Sequence, residues 1–304
     1  MERDTPYAGL DPDLILDAVA EAGFEPDGRM LALGSYENRV YQVGIEGAPA
    51  LVVKFYRPGR WSDAAIAEEH AFALELATAE LPVVAPLVIE GRSLFALDGF
   101  RYSLYPRQGG REPELESKQN LEWMGRLLAR IHGVGSRATF TQRGRIDVQT
   151  FLRDPSREVL DSTLLPTQLH SRYRKLVDGL AQRIDRRFAD CAPLRQIRLH
   201  GDCHRGNVLW TDAGPHFVDL DDARMGPAVQ DLWMLAPSAQ ALDSVLEGYA
   251  EFRDFDHGEL ALIEPLRIMR QVHWAGWVAR RWSDPAFPRA FAQVGEPRWW
   301  EEHC

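Results

Sequence analysis

His200-Gly201-Asp202-Cys203-His204-Arg205-Gly206-Asn207 sets an acid and, five positions later, an amide in one short segment. Phe217-Val218-Asp219-Leu220-Asp221-Asp222 follows, with an acid on an apolar, strand-like run. Phosphoryl transfer asks for side chains of these types. A group must orient a hydroxyl nucleophile, hard oxygen ligands must hold magnesium against nucleotide phosphates, and developing charge must be neutralised. One carboxylate and one amide oxygen suffice on the protein side, because Mg²⁺ keeps several waters and shares its octahedral shell with phosphate oxygens.

The offset from Asp202 to Asn207 equals that of the Asp and Asn in H-R-D-x-x-x-x-N, with Gly201 where Arg would stand. A lysine for the α/β-phosphates is offered by the strand-like run Leu51-Val52-Val53-Lys54-Phe55-Tyr56, which resembles V-A-I-K. The following helix carries Glu68 and Glu69, of which Glu69 is the favoured partner of Lys54 and Glu68 the rival. Alone, a strand lysine is ordinarily a solvated edge residue and a helix Glu a surface one. Their reading rests on the company of the 200–219 block. Between the first two strands, Leu33-Gly34-Ser35-Tyr36-Glu37-Asn38-Arg39 occupies the place of a phosphate-covering turn but lacks G-x-G-x-x-G, so Ser35 and neighbouring amides would have to serve. The chain contains no Walker A sequence, which excludes the P-loop class as far as sequence can.

The elements that must position these residues follow from patterning. Asp11 and Pro12 open a helix over 11–22, strands are expected over Arg29–Leu33, Arg39–Val43 and Leu51–Tyr56, and Ser62 or Asp63 caps a helix to about Leu76. Three more strands fit between Val83 and Tyr105. Beyond Gly109-Gly110, Leu121, Met124, Leu128 and Ile131, and then Tyr173, Leu176, Leu180, Ile184 and Phe188, recur at helical steps. The expected architecture is α+β and bilobal: residues 1–106 an antiparallel sheet with one inserted helix, 107–110 a hinge, and 111–304 a mainly helical lobe. With 304 residues, 45% hydrophobic and 26% charged, two packed lobes are affordable. A net charge of −10 speaks against general nucleic-acid binding. No signal-like or membrane-spanning apolar run occurs, and three cysteines without CxxC spacing suit a reducing compartment, so a cytoplasmic monomer without membrane or nucleic-acid partners is expected.

HGDxHxGN, the apolar-Asp run and the later Gln230-Asp231-Leu232 resemble the aminoglycoside phosphotransferase and choline kinase superfamily, which has a protein-kinase-like fold. Residues 35–41, 53–58, 200–207, 217–224, 226–234 and 281–288 resemble more closely the bacterial stress response kinase A family, described as Ser/Thr protein kinases; the chain stops short of that family's usual C-terminal tail. The resemblance implies Asp202 as catalytic base or hydroxyl-orienting group, Asn207 and Asp219 as Mg²⁺ ligands, Asp219 also acting in catalysis, and Ser35 at a nucleotide contact beside Lys54 and Glu69. It implies ATP as co-substrate and a Ser/Thr hydroxyl on a protein as acceptor. A small-molecule kinase acting on an amino alcohol, sugar or aminoglycoside is the main alternative, since fold alone does not decide substrate. A non-catalytic nucleotide-binding relative would lack Asp202, Asn207, Asp219 or Lys54, and all four are present.

Other residues of the block have plainer readings. Asp231 is expected to organise the catalytic loop as a structural acceptor, and His200 to organise backbone. Asp221 and Asp222 are surplus acids expected to be solvated or paired, for instance with Arg224, with a share in binding a second metal as the rival. Zinc at His200, Cys203 and His204 lacks a fourth ligand nearby, and Cys203 beside acids is expected to be a buried, inert thiol. Trp274, Trp277 and Trp282 are expected in the helical core, with substrate stacking as the rival.

Overall fold

A computed structural model describes residues 6–303. Helix α1 (Pro12–Glu21) starts where the Asp11 carboxylate accepts from the Leu14 N–H and Pro12 takes a position whose N–H would have no helical partner. Strands β1 (Pro26–Leu33), β2 (Arg39–Ile45) and β3 (Ala48–Phe55) follow as an antiparallel meander. Helix α2 (Asp63–Thr78) is capped by Ser62, whose hydroxyl accepts from the Ala65 N–H. Strands β4 (Phe95–Leu97) and β5 (Phe100–Pro106) complete a five-stranded antiparallel sheet in the order β1-β2-β3-β5-β4.

Val53 and Phe55 are fully buried with Ile15 and Val19 of α1 beneath the sheet. Lys54 therefore points to the other face, as the period of two demands. Only two strands form between Val83 and Tyr105, not three. Pro82 and Pro86 lack ladder donors, and Val83 is drawn instead into a parallel bridge with Phe217, with Phe217 N–H donating to the Pro82 carbonyl at 2.7 Å and Val84 N–H to the Phe217 carbonyl at 2.9 Å.

The rest of the chain is mainly helical. Helix α3 (Lys118–Gly135), α4 (Asp154–Asp161) and α5 (His170–Asp190) precede strand β6 (Ile197–Leu199), then come β7 (Val208–Thr211), β8 (Gly214–Phe217) and β9 (Arg224–Gly226). Helices α6 (Val229–Leu235), α7 (Ala239–Ala250), α8 (Ile263–Arg280), α9 (Ala286–Ala290) and α10 (Pro297–His303) finish it. Strands β6 and β9 form one two-stranded sheet and β7 and β8 another. One core joins Phe72 and Leu76 of α2 to Met124 and Leu128 of α3, Phe217 and Val245. A second packs α5 against α8, and here the expectation for the tryptophans is corrected: Trp274, Trp277 and Trp282 lie half-buried at its margin while Trp300 fills it. Gly110 sits where a Cβ would come within 2.9 Å of the Leu209 backbone, and Arg111 exchanges backbone hydrogen bonds with Trp210. Close approach to β7 accounts for that glycine.

Candidate functional site

Two chambers open beside each other between the sheet and the helices. The first, about 310 Å³, is walled largely by aliphatic side chains, including Val40, Val52 and Leu209, with Lys54, Glu69 and Asp219 at its polar side. The second, about 490 Å³, has Asp202, His204, Arg270, Trp274 and Trp277 in its wall. Gly34, Ser35, Gly206, Asn207 and Asp219 border both.

The loop after β6 is shaped by buried acceptors. Asp231, fully buried on α6, accepts from the His200 N–H at 3.0 Å and the Gly201 N–H at 2.9 Å, with His132 Nε2 at 3.1 Å. His200 Nε2 donates to the Val218 carbonyl at 2.9 Å, so this histidine ties two backbones together. Gly201 has φ +85°, and a Cβ there would lie 2.1 Å from the Asp222 carbonyl oxygen, which explains glycine where H-R-D has arginine. The Asn207 amide donates to the Asp202 carbonyl at 2.9 Å, leaving its oxygen as an acceptor. The Val218 N–H donates to the Asn207 carbonyl at 3.0 Å. The loop and the Asp219 segment thus form one hydrogen-bonded unit.

Asp219 lies beyond the end of β8, in a left-handed conformation at φ 58°, rather than within a strand. Such a backbone is sparsely populated by residues other than glycine, and asparagine and aspartate tolerate it best. Its half-exposed carboxylate accepts from Lys54 Nζ at 2.9 Å. Lys54 also lies 3.2 Å from Asp221 and 4.0 Å from Glu69. Burial lowers the Lys54 pKa, but Asp219, Asp221 and Glu69 outweigh it and hold the ammonium well above its ordinary value. Because the lysine sits nearest the two aspartates, burial prevails at Glu69 and pushes that carboxyl up to about 7. Glu68 is engaged elsewhere. Its carboxylate accepts from the backbone of Thr141, Gln142 and Arg143 at 2.8–3.1 Å.

Asp221 is neither solvated nor paired with Arg224. It is buried, held between Lys54 and Arg60, and accepts from Asn38 Nδ2 at 3.2 Å. Burial raises its carboxyl, yet Arg60 and Lys54 together bring it down to about 2. Asp222 pairs with Arg60 at 2.7 Å and only more distantly with Arg224 at 3.5 Å.

The turn bearing Ser35 is fastened rather than glycine-rich. Glu37 accepts from Trp277 Nε1 and from Arg281 Nη2, both at 2.5 Å. Arg57 donates to the Glu37 carbonyl at 3.0 Å and to Asp284 at 2.7 Å. Residues before β2 and after β3 are thereby tied to the end of α8 and the segment behind it.

The family model of the phosphotransferase enzyme family matches residues 30–263. The chain belongs to the phosphotransferase enzyme family. It is 45% identical over 299 residues to stress response kinase A of Escherichia coli K12, covering 96% of this chain and 90% of that one. With the same shares it is 45% identical over 301 residues to the serine/threonine protein kinase RdoA of Salmonella typhimurium LT2. The fold recurs at 18% identity in a microcompartment-associated aminopropanol kinase, with TM-score 0.73 and 95% of both chains covered. It recurs also in the amicoumacin kinase hAmiN in complex with AMP-PNP, Ca²⁺ and Ami, at 18% identity, TM-score 0.71, and 96% and 94% coverage. The chain is a phosphotransferase with a hydroxyl acceptor, and its fold is the bilobal kinase-like one.

In the second chamber, Asp202 is held by Arg270 of α8 through an ion pair and has His204 Nε2 3.4 Å away. Burial raises the Asp202 carboxyl, but the contact with His204 and the charge of Arg270 win and keep it below the usual carboxylate range. Cys203 is fully buried, and burial with the neighbouring acids pushes its thiol well up. Among the described residues no cluster of three or more His, Cys, Asp or Glu is arranged for a metal. None of the described helices is long and apolar enough to cross a membrane.

Sequence reasoning missed Glu37, Arg60, Arg270 and the central place of Asp221. Charged residues such as Arg60 and Arg270 carry no motif. Asp221 was visible, but its sequence neighbours do not disclose the lysine it faces.

Proposed function

We propose that the chain is an ATP-dependent, Mg²⁺-requiring Ser/Thr protein kinase of a cytoplasmic stress response, acting as a monomer with residues 1–106 and 111–304 as lobes joined through 107–110. The observation carrying this reading is that Asn207 and Asp219 border both the apolar chamber and the chamber of Asp202, with Lys54 in the wall of the apolar one. An adenine suits the aliphatic walls, and its phosphates would run toward Lys54 and Ser35. The donor set fits Mg²⁺: the Asn207 oxygen and the Asp219 carboxylate are hard ligands, and bound Mg²⁺ supplies charge neutralisation across phosphate oxygens.

In this reading Lys54 binds the phosphates and Glu69 braces it. Ser35 and its turn cover the phosphates without glycine mobility, because Glu37 and Arg57 hold the turn in place. Asp202 orients the acceptor hydroxyl and takes its proton, which its ionised state permits at neutral pH.

A polypeptide acceptor is supported by the names of the 45%-identical relatives and by the charges of the second chamber. Its acids are already engaged: Asp202 by Arg270, Asp222 by Arg60 and Glu37 by Arg281. Little free carboxylate is left to recognise a polycationic aminoglycoside. The test is γ-phosphate transfer from ATP and Mg²⁺ by wild type and Asp202→Asn, offered a general protein substrate, the enzyme itself and small hydroxyl compounds. Asp202-dependent labelling of Ser/Thr is expected. Transfer to small molecules alone would refute the protein-kinase reading.

A further inference from the structure

A third cavity, about 240 Å³, opens behind the acceptor chamber and shares Arg60, His273 and Trp277 with it. Arg60, Arg224, Arg280 and Arg281 line it, together with Trp61. No role in phosphoryl transfer accounts for four guanidinium groups at that place.

Their carboxylate partners are shared out. Glu37 serves Arg57, Arg60 and Arg281 at once, at 3.4, 3.7 and 2.5 Å. Asp222 serves both Arg60 and Arg224. The acid on the wall, Asp154, is taken by Gln149 at 2.6 Å and Arg157 at 2.9 Å. Arg280 meets Glu158 at 3.0 Å with half its side chain exposed. His273 adds no charge, because burial and Arg224 push it down to about 4, and it stacks on Phe151.

Donors are left over as well. Arg224 Nε, Arg281 Nε and Trp61 Nε1 are buried without a hydrogen-bond acceptor, and the Arg281 side chain is only 7% exposed. Folded proteins rarely leave buried N–H donors unmatched. Burial pushes both Arg224 and Arg281 down, against Asp222 and Glu37, which raise them, so two charged guanidiniums are held out of water here. A ligand that supplied several acceptor oxygens and negative charge would answer both conditions, and arginine forks match planar and tetrahedral oxyanions.

We propose that this cavity is an oxyanion subsite that holds a carboxylate or phosphate carried by the acceptor polypeptide near the hydroxyl to be phosphorylated. The acceptor part rests on the protein-kinase reading above; the oxyanion part does not. The site would make the enzyme select hydroxyls in acidic or already phosphorylated surroundings.

The first arm titrates the full chain, saturated with AMP-PNP and Mg²⁺ so that the nucleotide side is filled, with inorganic phosphate by calorimetry. Saturable binding is expected, loosened about tenfold in Arg280→Gln, the loss of one charge-assisted contact. Arg280 is half-exposed, so that variant keeps the fold, whereas Arg224→Gln tests the buried donor with a melting curve as its control. No saturable binding, or equal binding by wild type and both folded variants, overturns the subsite. The second arm compares peptides with aspartate, phosphoserine or alanine at successive positions around one serine. A lower KM for the anionic peptides, narrowed in Arg280→Gln, supports the acceptor assignment and tells carboxylate from phosphate. Equal KM values overturn it. Failure to phosphorylate any peptide refutes the protein-kinase reading, while the phosphate arm alone decides the oxyanion site.

Discussion

Asp231→Asn should unlatch the catalytic loop while changing almost nothing in shape. The wild-type carboxylate is fully buried and accepts from His200 N–H, Gly201 N–H and His132 Nε2 at 3.0, 2.9 and 3.1 Å. Asparagine keeps one oxygen. Turned so that it still serves His200 and His132, the residue presents its NH₂ to the Gly201 N–H, and two donors face each other in a dry site. The loss is one charge-assisted hydrogen bond, about 1.5–3 kcal/mol, together with a buried unsatisfied donor, about 1–3 kcal/mol. The sum, about 2.5–6 kcal/mol, is a large part of the roughly 5–15 kcal/mol by which domains are stable. Urea unfolding at constant m-value measures it. Asp243→Asn, on the exposed side of α7, is the control and should stay within about 0.5 kcal/mol. Phosphoryl transfer should fall as well, since a misplacement of about 1 Å at Asp202 costs on the order of a hundredfold in rate. If Asp231→Asn unfolds within about 1 kcal/mol of wild type and keeps its rate, the buried carboxylate does not hold the loop.

Lys54→Met should damage stability as well as catalysis. Asp221 and Glu69 lose a buried counter-charge, so destabilisation of about 3 kcal/mol is expected, at the low end for a broken buried pair because Arg60 and Arg143 remain beside them. Turnover should drop about a hundredfold or more, and a melting curve beside the rate assay separates the two effects. Arg270→Ala removes a cation that favours the ionised form of Asp202. The Asp202 carboxyl then titrates at higher pH, and a base that must be ionised is lost sooner on acidification. The acid limb of kcat/KM should therefore move to higher pH relative to wild type. An unmoved limb, or one moved to lower pH, would show that Arg270 does not set the ionisation of Asp202.

Local signals in the sequence carried much of the fold because they are local physics. Asp11 and Ser62 cap their helices as their types suggest. Leu121, Met124, Leu128 and Ile131 form the buried stripe of α3. On α5 the buried stripe is Tyr173, Val177, Ala181 and Ile184, so the larger Leu176 and Leu180 sit beside the true stripe. Three strands are expected between Val83 and Tyr105 and two form, while Val83 bridges to Phe217, far along the chain. Hydrophobic patterning records burial and leaves the partner unnamed.

The site divides along the same line. The 200–207 and 217–222 segments were legible because the side chains of the proposed phosphoryl centre stand close in sequence, joined here by hydrogen bonds between Asn207, Asp202 and Val218. What surrounds that centre is assembled from afar. Glu37 meets Trp277 and Arg281 across some 240 residues, and nothing local to any of the three names its partners. These contacts also resolve the missing glycines. A glycine-rich turn lets amides approach phosphates through its freedom; a turn clamped at Glu37 and Arg57 holds Ser35 in place through its partners. In the proposed nucleotide complex helix α8 would then help to set the geometry of phosphate binding, although it contributes no residue to the apolar chamber. Residues 35–41, 53–58 and 281–288, scattered along the sequence, are thus parts of one mechanical element.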